Sequence, residues 1–593
     1  MDLDRALSFS HYAEHALLAQ AALRDELVAT LDAPFDWTKT MAAVDAVVAG
    51  GDAGALAAAL RVLRRHLFLH TLARDLTGRA PFGEVVQAMT TLAERALRAA
   101  VDLHTRALTE RHGIPLGETS GAPQRLIVVG MGKLGGRELN VSSDVDLVFV
   151  YPEEGETAGP TRISNREFFD RLGQRIVAAL GRVDADGYVF RVDTRLRPYG
   201  ASGPLTVSFG ALEQYLVTQG RTWERYAWLK ARALTGECHD GLAELVTPFV
   251  YRKYLDYDAY EGLRGIHRQI RDQEKRRDYA NDIKLGAGGI REIEFIVQAL
   301  QIVRGGRDPA LRLQGTVPAL AALAERQLIA PHAATVLHDG YLFLRALEHR
   351  LQYRDDRQTQ RLPSEAGERA LVAEALDFAS SSDFDNALLR HRDQVARQFN
   401  AVFDAPDDAT LNADPPNRYV ALWDDPQPTP EMLAELEAAG FDAPAELVHA
   451  LLRMRESRRY LQLPALSRDR FDRLVPALIA VAAEHPGAGA PPAAVLQRLL
   501  GLLEAVSGRS AYLALLIEPP PLLPRRAQLM GASACAADYL TRRPFILDEL
   551  LDSHVLPADH HWTGWLDAPA RMLAPATRGQ HPGCDPSHPD PRP

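Results

Sequence analysis

The chain is poor in cysteine, and this shortage argues against two kinds of structure. Its 593 residues include three cysteines, Cys238, Cys535 and Cys584, which lie far apart and form no CxxC pair. Neither a disulfide framework nor a thiolate zinc site is supported by an odd number of scattered cysteines. A reducing compartment fits this composition best.

Long apolar runs are also missing. No stretch of about 18 apolar residues, the length that a membrane-spanning helix needs, occurs in the sequence. The first residues, MDLDRALSFSHYAEHALL, carry acidic side chains early and have no apolar core behind a basic start, so they do not resemble a secretory signal. We therefore expect a soluble, cytoplasmic protein with no membrane partner.

The chain has no excess of basic residues. Lys and Arg number 67 and Asp and Glu number 78, which gives a formal net charge of −11. Proteins whose main work is to grip a nucleic-acid backbone are normally basic, so no nucleic-acid partner is expected. Apolar residues make up 46% of the chain, which is enough for several cores and fits about two to four domains.

Hydrophobic periodicity predicts a mainly α protein with one α/β insertion. Apolar residues recur at helical spacing in most of the chain, whereas short β-branched runs are concentrated after residue 120. The predicted regions are a helical leader (1–120), an α/β core (121–240), a helical bundle (241–425), a helical linker region (426–560) and a disordered, proline-rich tail (561–593).

Three apolar runs predict the strands of the core. They are RLIVVG at 125–130, DLVFVY at 146–151 and a run within GYVFRVDTRLRP at 187–198. The intervening RISNREFFDRLGQRIVAALG predicts an amphipathic helix. Its apolar face comprises Phe168, Phe169, Leu172, Ile176 and Leu180.

A glycine-rich segment, VVGMGKLGGRELNVSSDVDLVFVY, joins the first two predicted strands. A Walker A loop requires Ser or Thr after its Gly-Lys pair, and Leu134 stands there instead. The GxGxxG pattern of a dinucleotide-binding fold is present, but about eight residues between Gly135 and Asp144 are too few for the crossover helix of that fold. Both interpretations are therefore disfavoured.

The third interpretation starts from two carboxylates on one strand. Side chains at positions i and i+2 of a strand share a face, so Asp144 and Asp146 converge. Two close carboxylates repel each other unless a cation lies between them, and oxygen ligands suit Mg²⁺, with Mn²⁺ as an alternative. Asp193 lies in another strand of the same predicted sheet, and three carboxylates can hold two ions that act on phosphates. We therefore predict metal-dependent nucleotidyl transfer, with these three residues as catalytic metal ligands.

Further residues near this group are candidates for binding phosphate. Gly135 and Gly136 would let backbone amides approach a phosphate, as would the N-terminus of a short helix predicted at GRELN. Lys133 could add a point charge. Arg195 and Arg197 follow Asp193 by two and four residues. If the strand continued, their side chains would lie on the same face as the Asp193 carboxylate.

Three other features leave alternatives open. KLGAGGIREIEF, residues 284–295, fits either an anion site with Lys284 and Arg291 nearby or a tight interdomain turn that caps a helix. RTWERYAWLKAR, residues 221–232, fits base stacking less well than core packing with charges at the rim. His349 has no second ligand at helical spacing, so it is predicted to be a solvated or hydrogen-bonded histidine rather than a metal ligand.

The longest motifs resemble one known family. GMGKLGGRELNVSSDVDLVFVY, followed by VDTRLRPYGASGPL, RTWERYAWLKAR and KLGAGGIREIEFIVQALQ, closely resembles the bacterial glutamine synthetase adenylyltransferase/adenylyl-tyrosine phosphorylase family. The resemblance implies a DNA polymerase beta-like nucleotidyltransferase core flanked by helical bundles. It implies glutamine synthetase as partner, with ATP or ADP and inorganic phosphate as small molecules and a PII-type signalling protein as a further partner.

The family has two similar halves. One half uses phosphate to release ADP from adenylylated tyrosine on glutamine synthetase, and the other uses ATP to attach AMP. GRELNVSSDVDL after a helical leader is similar to the first half. By position, the resemblance implies metal-binding roles for Asp144, Asp146 and Asp193 and nucleotide contacts for Ser143, Gly135 and Gly136.

No second GKLGG followed by SDxDL occurs after residue 240. We therefore expect the adenylylating head to be missing from this chain, and a truncated or frameshifted reading frame would explain the proline-rich ending. The main hypothesis is Mg²⁺-dependent phosphorolysis of AMP-tyrosine. The alternatives are adenylylation by the same metal chemistry, and a non-catalytic module that binds glutamine synthetase or a PII-type protein.

Overall fold

The computed structural model describes residues 1–236, 239–251, 281–403, 418–424, 429–463, 465–484, 490–507, 513, 516 and 533–542. This part of the chain is mainly helical with one small sheet, as the periodicity predicts. It contains no helix long and apolar enough to cross a membrane. The tail predicted at 561–593 lies outside the described residues.

The leader consists of helices whose apolar faces pack together. Their bounds are α1 (Leu3–Phe9), α2 (His11–Ala19), α3 (Ala22–Thr30), α4 (Trp37–Gly50), α5 (Ala53–Leu76) and α6 (Phe82–His112). The starts of α4 and α5 follow from their caps, because the Asp36 and Asp52 carboxylates each accept hydrogen bonds from two backbone amides of the first turn. Buried residues along α5 and α6 form most of the leader's contribution to the core.

The core holds a five-stranded mixed sheet. Its elements are β1 (Ile127–Gly130), α7 (Gly132–Gly135), β2 (Asp144–Tyr151), α8 (Asn165–Gly181), β3 (Arg191–Asp193), β4 (Thr206–Ser208), α9 (Phe209–Thr218), α10 (Thr222–Leu229) and β5 (Arg232–Ala233). β1 pairs antiparallel with β2 and with β5, whereas β3 and β4 both run parallel to β2. An antiparallel first pair excludes the dinucleotide-binding fold, as the short spacing predicted.

Alternate residues of β2 face two different cores. Leu147 and Phe149 are buried with the leader and α8, whereas Val148 and Val150 are buried with α9 and α10. The predicted amphipathic helix is α8, and its five predicted apolar residues are all buried. With both faces covered, the sheet is fixed in place, and side chains at the first residues of β2 are held in register.

A helical bundle follows the sheet. Its described helices are α11 (His239–Val250), α12 (Ile290–Arg304), α13 (Thr316–Glu325), α14 (Pro331–Tyr353), α15 (Ala366–Glu374) and α16 (Ser381–Phe403). Buried residues of α12, α13, α14 and α16 form one continuous apolar cluster. The bundle belongs to the same compact unit as the leader and the sheet, which spans residues 1–420.

A second compact unit begins at residue 421, close to the predicted boundary at 425. The described helices after the bundle are α17 (Val420–Asp424), α18 (Pro430–Ala438), α19 (Pro444–Glu456), α20 (Arg458–Leu461), α21 (Ala465–Glu484), α22 (Pro492–Val506) and α23 (Ala534–Arg542). This region is helical, in agreement with its sequence pattern.

Candidate active site

Three carboxylates meet at one end of the sheet. Asp144 and Asp146 begin β2, Asp193 ends β3, and the parallel register places Asp146 opposite Asp193. One oxygen of each carboxylate lies within 4.8 Å of the oxygens of the other two. All three side chains are half-buried. The structure thus brings together the three residues that the sequence selected.

The electrostatics of this group favour a cation. Burial and, after it, the neighbouring Asp144 and Asp193 carboxylates together raise the pKa of Asp146 to about 7. Hydrogen bonds from Arg195 act in the opposite direction on Asp193 and lower the pKa of that carboxyl. All three donor groups are carboxylates, and burial makes one of them, Asp146, difficult to ionise without a nearby cation. Such a group of ligands suits a hard divalent cation.

A side chain from the bundle also reaches the carboxylates. Gln358 donates a hydrogen bond of 2.8 Å from its Nε2 to Oδ1 of Asp144. Ser143, predicted to contact nucleotide, donates a longer bond of 3.4 Å to the same oxygen. Sequence reasoning missed Gln358 because it lies 214 residues further along the chain, with no local motif around it.

The glycine turn has a different geometry from the predicted one. The short helix is α7, at Gly132–Gly135, and no helix begins at GRELN. The amides of Gly135 and Gly136 donate to the carbonyl oxygens of Met131 and Gly132 at 3.0 and 3.1 Å, so the turn itself uses them. The proposed nucleotide contact of these two glycines therefore stays a prediction.

Gly132 is the glycine that touches the carboxylates. It has a φ of +51°, and a Cβ at this position would lie 2.9 Å from Oδ2 of Asp146. Glycine is required here for both reasons, because a side chain would be strained and would press on the carboxylate. The sequence pattern contained this residue, but nothing in the pattern distinguished it from the other glycines.

Gly135 is required for packing of the turn. A Cβ at this position would lie 1.8 Å from the carbonyl oxygen of Lys230 and 2.5 Å from that of Gly130. Because backbone atoms cannot move aside as a side chain can, Gly135→Ala should lower the free energy of unfolding by at least about 3 kcal/mol. Denaturant unfolding measures this, with Gly210→Ala as the matched control.

Gly210 lies in the first turn of α9, and a Cβ there meets no atom within 4 Å. Gly210→Ala should therefore be neutral or stabilising by up to about 1 kcal/mol. Equal stabilities of the two variants would contradict the packing role of Gly135.

Lys133 is engaged by the bundle. Its ammonium group lies 2.9 Å from Oε2 of Glu348 on α14; the Glu348 side chain is fully buried and that of Lys133 is 12% accessible. Arg345 lies 3.2 Å from the same carboxylate. Although burial opposes ionisation, the charges of Lys133 and Arg345 hold the pKa of Glu348 down, to about 2. The structure thus places Lys133 in a buried ion pair, and its phosphate contact stays a prediction.

The two arginines after Asp193 do not lie on a strand. β3 ends at Asp193, so the expectation that Arg195 and Arg197 continue its face is wrong. Arg195 turns back, and its Nε lies 2.8 Å from Oδ2 of Asp193. Arg197 closes the following loop by donating to the Thr194 and Gly203 carbonyl oxygens. The exposed Arg195 remains beside the carboxylates, whereas Arg197 stabilises the loop.

The segment RTWERYAWLKAR packs mainly as core. Trp228 is buried, as expected, but Arg225 and Lys230 are buried as well and Trp223 is 46% exposed. The prediction that its charges lie at the rim is therefore wrong for these two residues. Lys230 is compensated by Glu138, 3.2 Å away.

His349 is also buried, so the solvated alternative is wrong for it. Its Nδ1 lies 3.8 Å from Oδ2 of Asp75.

Residues 284–295 form a tight turn and a helix start. Gly289 is the N-cap of α12, and Gly288 has a φ of +69° with a Cβ position 2.0 Å from the Arg392 carbonyl oxygen. The Asp282 carboxylate accepts from the backbone amide of Lys284 at 2.9 Å. The turn alternative thus describes the backbone of this segment.

Two protein-family models match separate parts of the chain. Residues 1–245 match the sequence model of glutamate-ammonia ligase adenylyltransferase, and residues 264–403 match that of GlnD PII-uridylyltransferase. Both descriptions name enzymes that transfer a nucleotidyl group.

Three relatives share the name bifunctional glutamine synthetase adenylyltransferase/adenylyl-removing enzyme. The one from Chromobacterium violaceum is 49% identical over 560 residues, which are 94% of this chain and 61% of the relative. Those from Aromatoleum aromaticum and Ralstonia nicotianae are 46% and 42% identical, over 94% and 97% of this chain and 58% and 62% of their own lengths. The chain is similar to these enzymes over nearly all of its own length, and it spans about three fifths of the length of these relatives.

Proposed function

We propose that the chain removes AMP from the adenylylated tyrosine of glutamine synthetase by Mg²⁺-dependent phosphorolysis, which yields ADP. The observation that carries this proposal is the convergence of Asp144, Asp146 and Asp193 within 4.8 Å. The names of the relatives support glutamine synthetase as the protein substrate. The turn and strand motifs that resemble the phosphate-using half of the family support the direction.

The core is proposed to be of the DNA polymerase beta-like type. In support, two carboxylates lie on one strand and the third on its parallel neighbour, beside a glycine turn. Helices cover both faces of this small sheet. Its strands therefore hold the carboxylates rigidly, which a metal-dependent transfer requires.

The reaction is a displacement at the α-phosphorus of tyrosyl-AMP. An oxygen of inorganic phosphate forms the new bond to this phosphorus, the bond to the tyrosine oxygen breaks, and the tyrosine recovers a proton while ADP forms. Bound Mg²⁺, or Mn²⁺, would neutralise the charge of the α-phosphate during the displacement. Asp144, Asp146 and Asp193 would hold the ions, and Gln358 would fix the orientation of the first carboxylate.

The remaining features of the proposal concern partners. A PII-type signalling protein is proposed as a regulatory partner, because residues 264–403 match a PII-uridylyltransferase model. The net charge of −11 fits a protein partner that carries a nucleotide rather than a nucleic acid. A cytoplasmic location stays a prediction.

Two parallel incubations test the direction. Purified chain with Mg²⁺ receives adenylylated glutamine synthetase and phosphate in one, and unmodified glutamine synthetase and ATP in the other. Mass spectrometry of the glutamine synthetase subunit should show loss of AMP in the first and no gain in the second. Gain of AMP in the second alone would establish the adenylylating alternative, and binding of glutamine synthetase without either reaction would establish the non-catalytic one.

A further inference from the structure

Two segments of the bundle pair with each other next to the carboxylates. The amide of Ile283 donates to the Gln360 carbonyl oxygen at 3.0 Å, and the amide of Leu362 donates to that of Asn281 at 2.8 Å. Asp282 and Arg361 form an antiparallel bridge between these bonds. Residues 281–284 and 358–362 are therefore held together as one piece, which we call the paired segments.

The paired segments lie against the carboxylates. Gln358 donates to Asp144, as described above. Lys284 lies on the other segment, directly after Ile283, whose amide bonds the carbonyl oxygen of Gln360, two residues from Gln358. The backbone of Lys284 is therefore held beside the carboxylates.

Lys284 differs from the other cations of this region in its lack of a hydrogen bond or ion pair to a described side chain. Lys133 lies 2.9 Å from Glu348, Lys230 lies 3.2 Å from Glu138, and Arg195 is hydrogen-bonded to Asp193. For the half-buried Lys284, no hydrogen bond or ion pair of the ammonium group is found with the residues that the structure describes. Its backbone is nevertheless fixed by the Asp282 turn.

A second phosphate group needs such a cation. Ions held by the three aspartates would neutralise the phosphate of AMP, but inorganic phosphate brings about two further negative charges to the same place. A partly desolvated ammonium group without a carboxylate partner binds such an anion as a point charge. Lys133 and Lys230 cannot do so without leaving buried glutamates unpaired.

We propose that Lys284 binds the phosphate nucleophile, the group that becomes the β-phosphate of ADP. The sheet would then hold the α-phosphate, and the bundle would supply the contact that distinguishes ADP from AMP. This inference rests on the proposed function. The phosphorolysis test below depends on that function, whereas the nucleotide-binding test does not.

Calorimetric titration of the full chain with ADP and with AMP, each with Mg²⁺, tests this contact. Wild type should bind ADP more tightly than AMP. Lys284→Gln should weaken ADP binding about 10-fold to 100-fold, the usual worth of a charge-assisted hydrogen bond, and change AMP binding less than about twofold. Lys284→Arg, which keeps the charge, should retain most of the preference.

The matched control is Arg291→Gln, which removes an exposed positive charge from the start of α12. It should leave both affinities within about twofold of wild type, because salt screens the charge of an exposed side chain. An unchanged ratio of the two affinities in Lys284→Gln would overturn the inference, and so would equal binding of ADP and AMP by wild type.

Phosphorolysis provides the second arm. The KM for phosphate should rise about 10-fold in Lys284→Gln, while the KM for adenylylated glutamine synthetase stays unchanged. If wild type shows no phosphorolysis but Lys284→Gln still loses its preference for ADP, the proposed reaction fails and the phosphate contact stands. If phosphorolysis occurs with an unchanged KM for phosphate in Lys284→Gln, the contact fails and the reaction stands.

Discussion

Asp146→Asn should lower the rate of ADP release from adenylylated glutamine synthetase by about 10³-fold or more. This loss corresponds to the several kcal/mol of transition-state stabilisation that a metal centre supplies. The variant keeps the shape of the side chain but removes a carboxylate whose oxygen lies within 4.8 Å of the other two. Steady-state assays with saturating Mg²⁺ and phosphate measure the effect.

The same variant should be more stable than wild type without metal. In the folded chain the pKa of Asp146 is raised from 3.8 to about 7, so between these values the folded state binds more protons than the unfolded state. The Asp146 carboxyl therefore contributes stability to the metal-free wild type that falls as pH rises from about 4 to about 7. In Asp146→Asn this fall should be absent, because the amide does not titrate.

Thermal unfolding in the presence of a chelator across this pH range checks the sign. The matched control is Asp45→Asn, since Asp45 is an exposed carboxylate on α4. It should leave both the rate and the pH dependence unchanged. If Asp146→Asn retained full activity, or if its stability fell with pH as in wild type, the assignment of Asp146 as a metal ligand would be wrong.

Glu348→Gln should lower the free energy of unfolding by about 3–5 kcal/mol. The side chain of Glu348 is fully buried, and its carboxylate lies between the Lys133 ammonium and the Arg345 guanidinium. Its neutralisation removes the ion-pair partner of both buried cations. Urea unfolding followed by circular dichroism measures the loss.

The partner variant gives a sharper comparison. Lys133→Met leaves Glu348 paired with Arg345 at 3.2 Å, so no charge is left unpaired and the loss should be smaller than for Glu348→Gln. Asp4→Asn is the exposed control, because the Asp4 and Arg24 side chains are 74% and 56% accessible, and it should cost less than about 1 kcal/mol. Equal losses for all three variants would show that the buried pair does not stabilise the glycine turn.

The sequence predicted those parts of the site that depend on local spacing. Asp144 and Asp146 could be assigned to one face because two residues separate side chains on the same side of a strand. Their strand begins at Asp144, as this argument requires. Asp193 could be added because it lies in a third apolar run of the same predicted sheet, and that run pairs with β2 in the structure.

What the sequence could not predict depends on long-range contacts. Gln358 and Glu348 lie more than 200 residues from the groups they contact, Asp144 and Lys133, and no periodic pattern encodes such contacts. Lys133 was therefore expected to face phosphate, although the bundle engages it. The end of β3 at Asp193 was missed for a local reason. Arg197 donates hydrogen bonds to the carbonyl oxygens of Thr194 and Gly203, and these bonds close the loop that follows the strand.

The most direct test of the account follows the phosphate atom itself. Purified chain, Mg²⁺ and glutamine synthetase carrying AMP on its tyrosine are incubated with ³²P-labelled inorganic phosphate, and the nucleotide products are separated. Phosphorolysis predicts that the label appears in ADP, at its β-phosphate, in amounts equal to the AMP lost from the protein. Release of unlabelled AMP, or retention of AMP on glutamine synthetase, would contradict it.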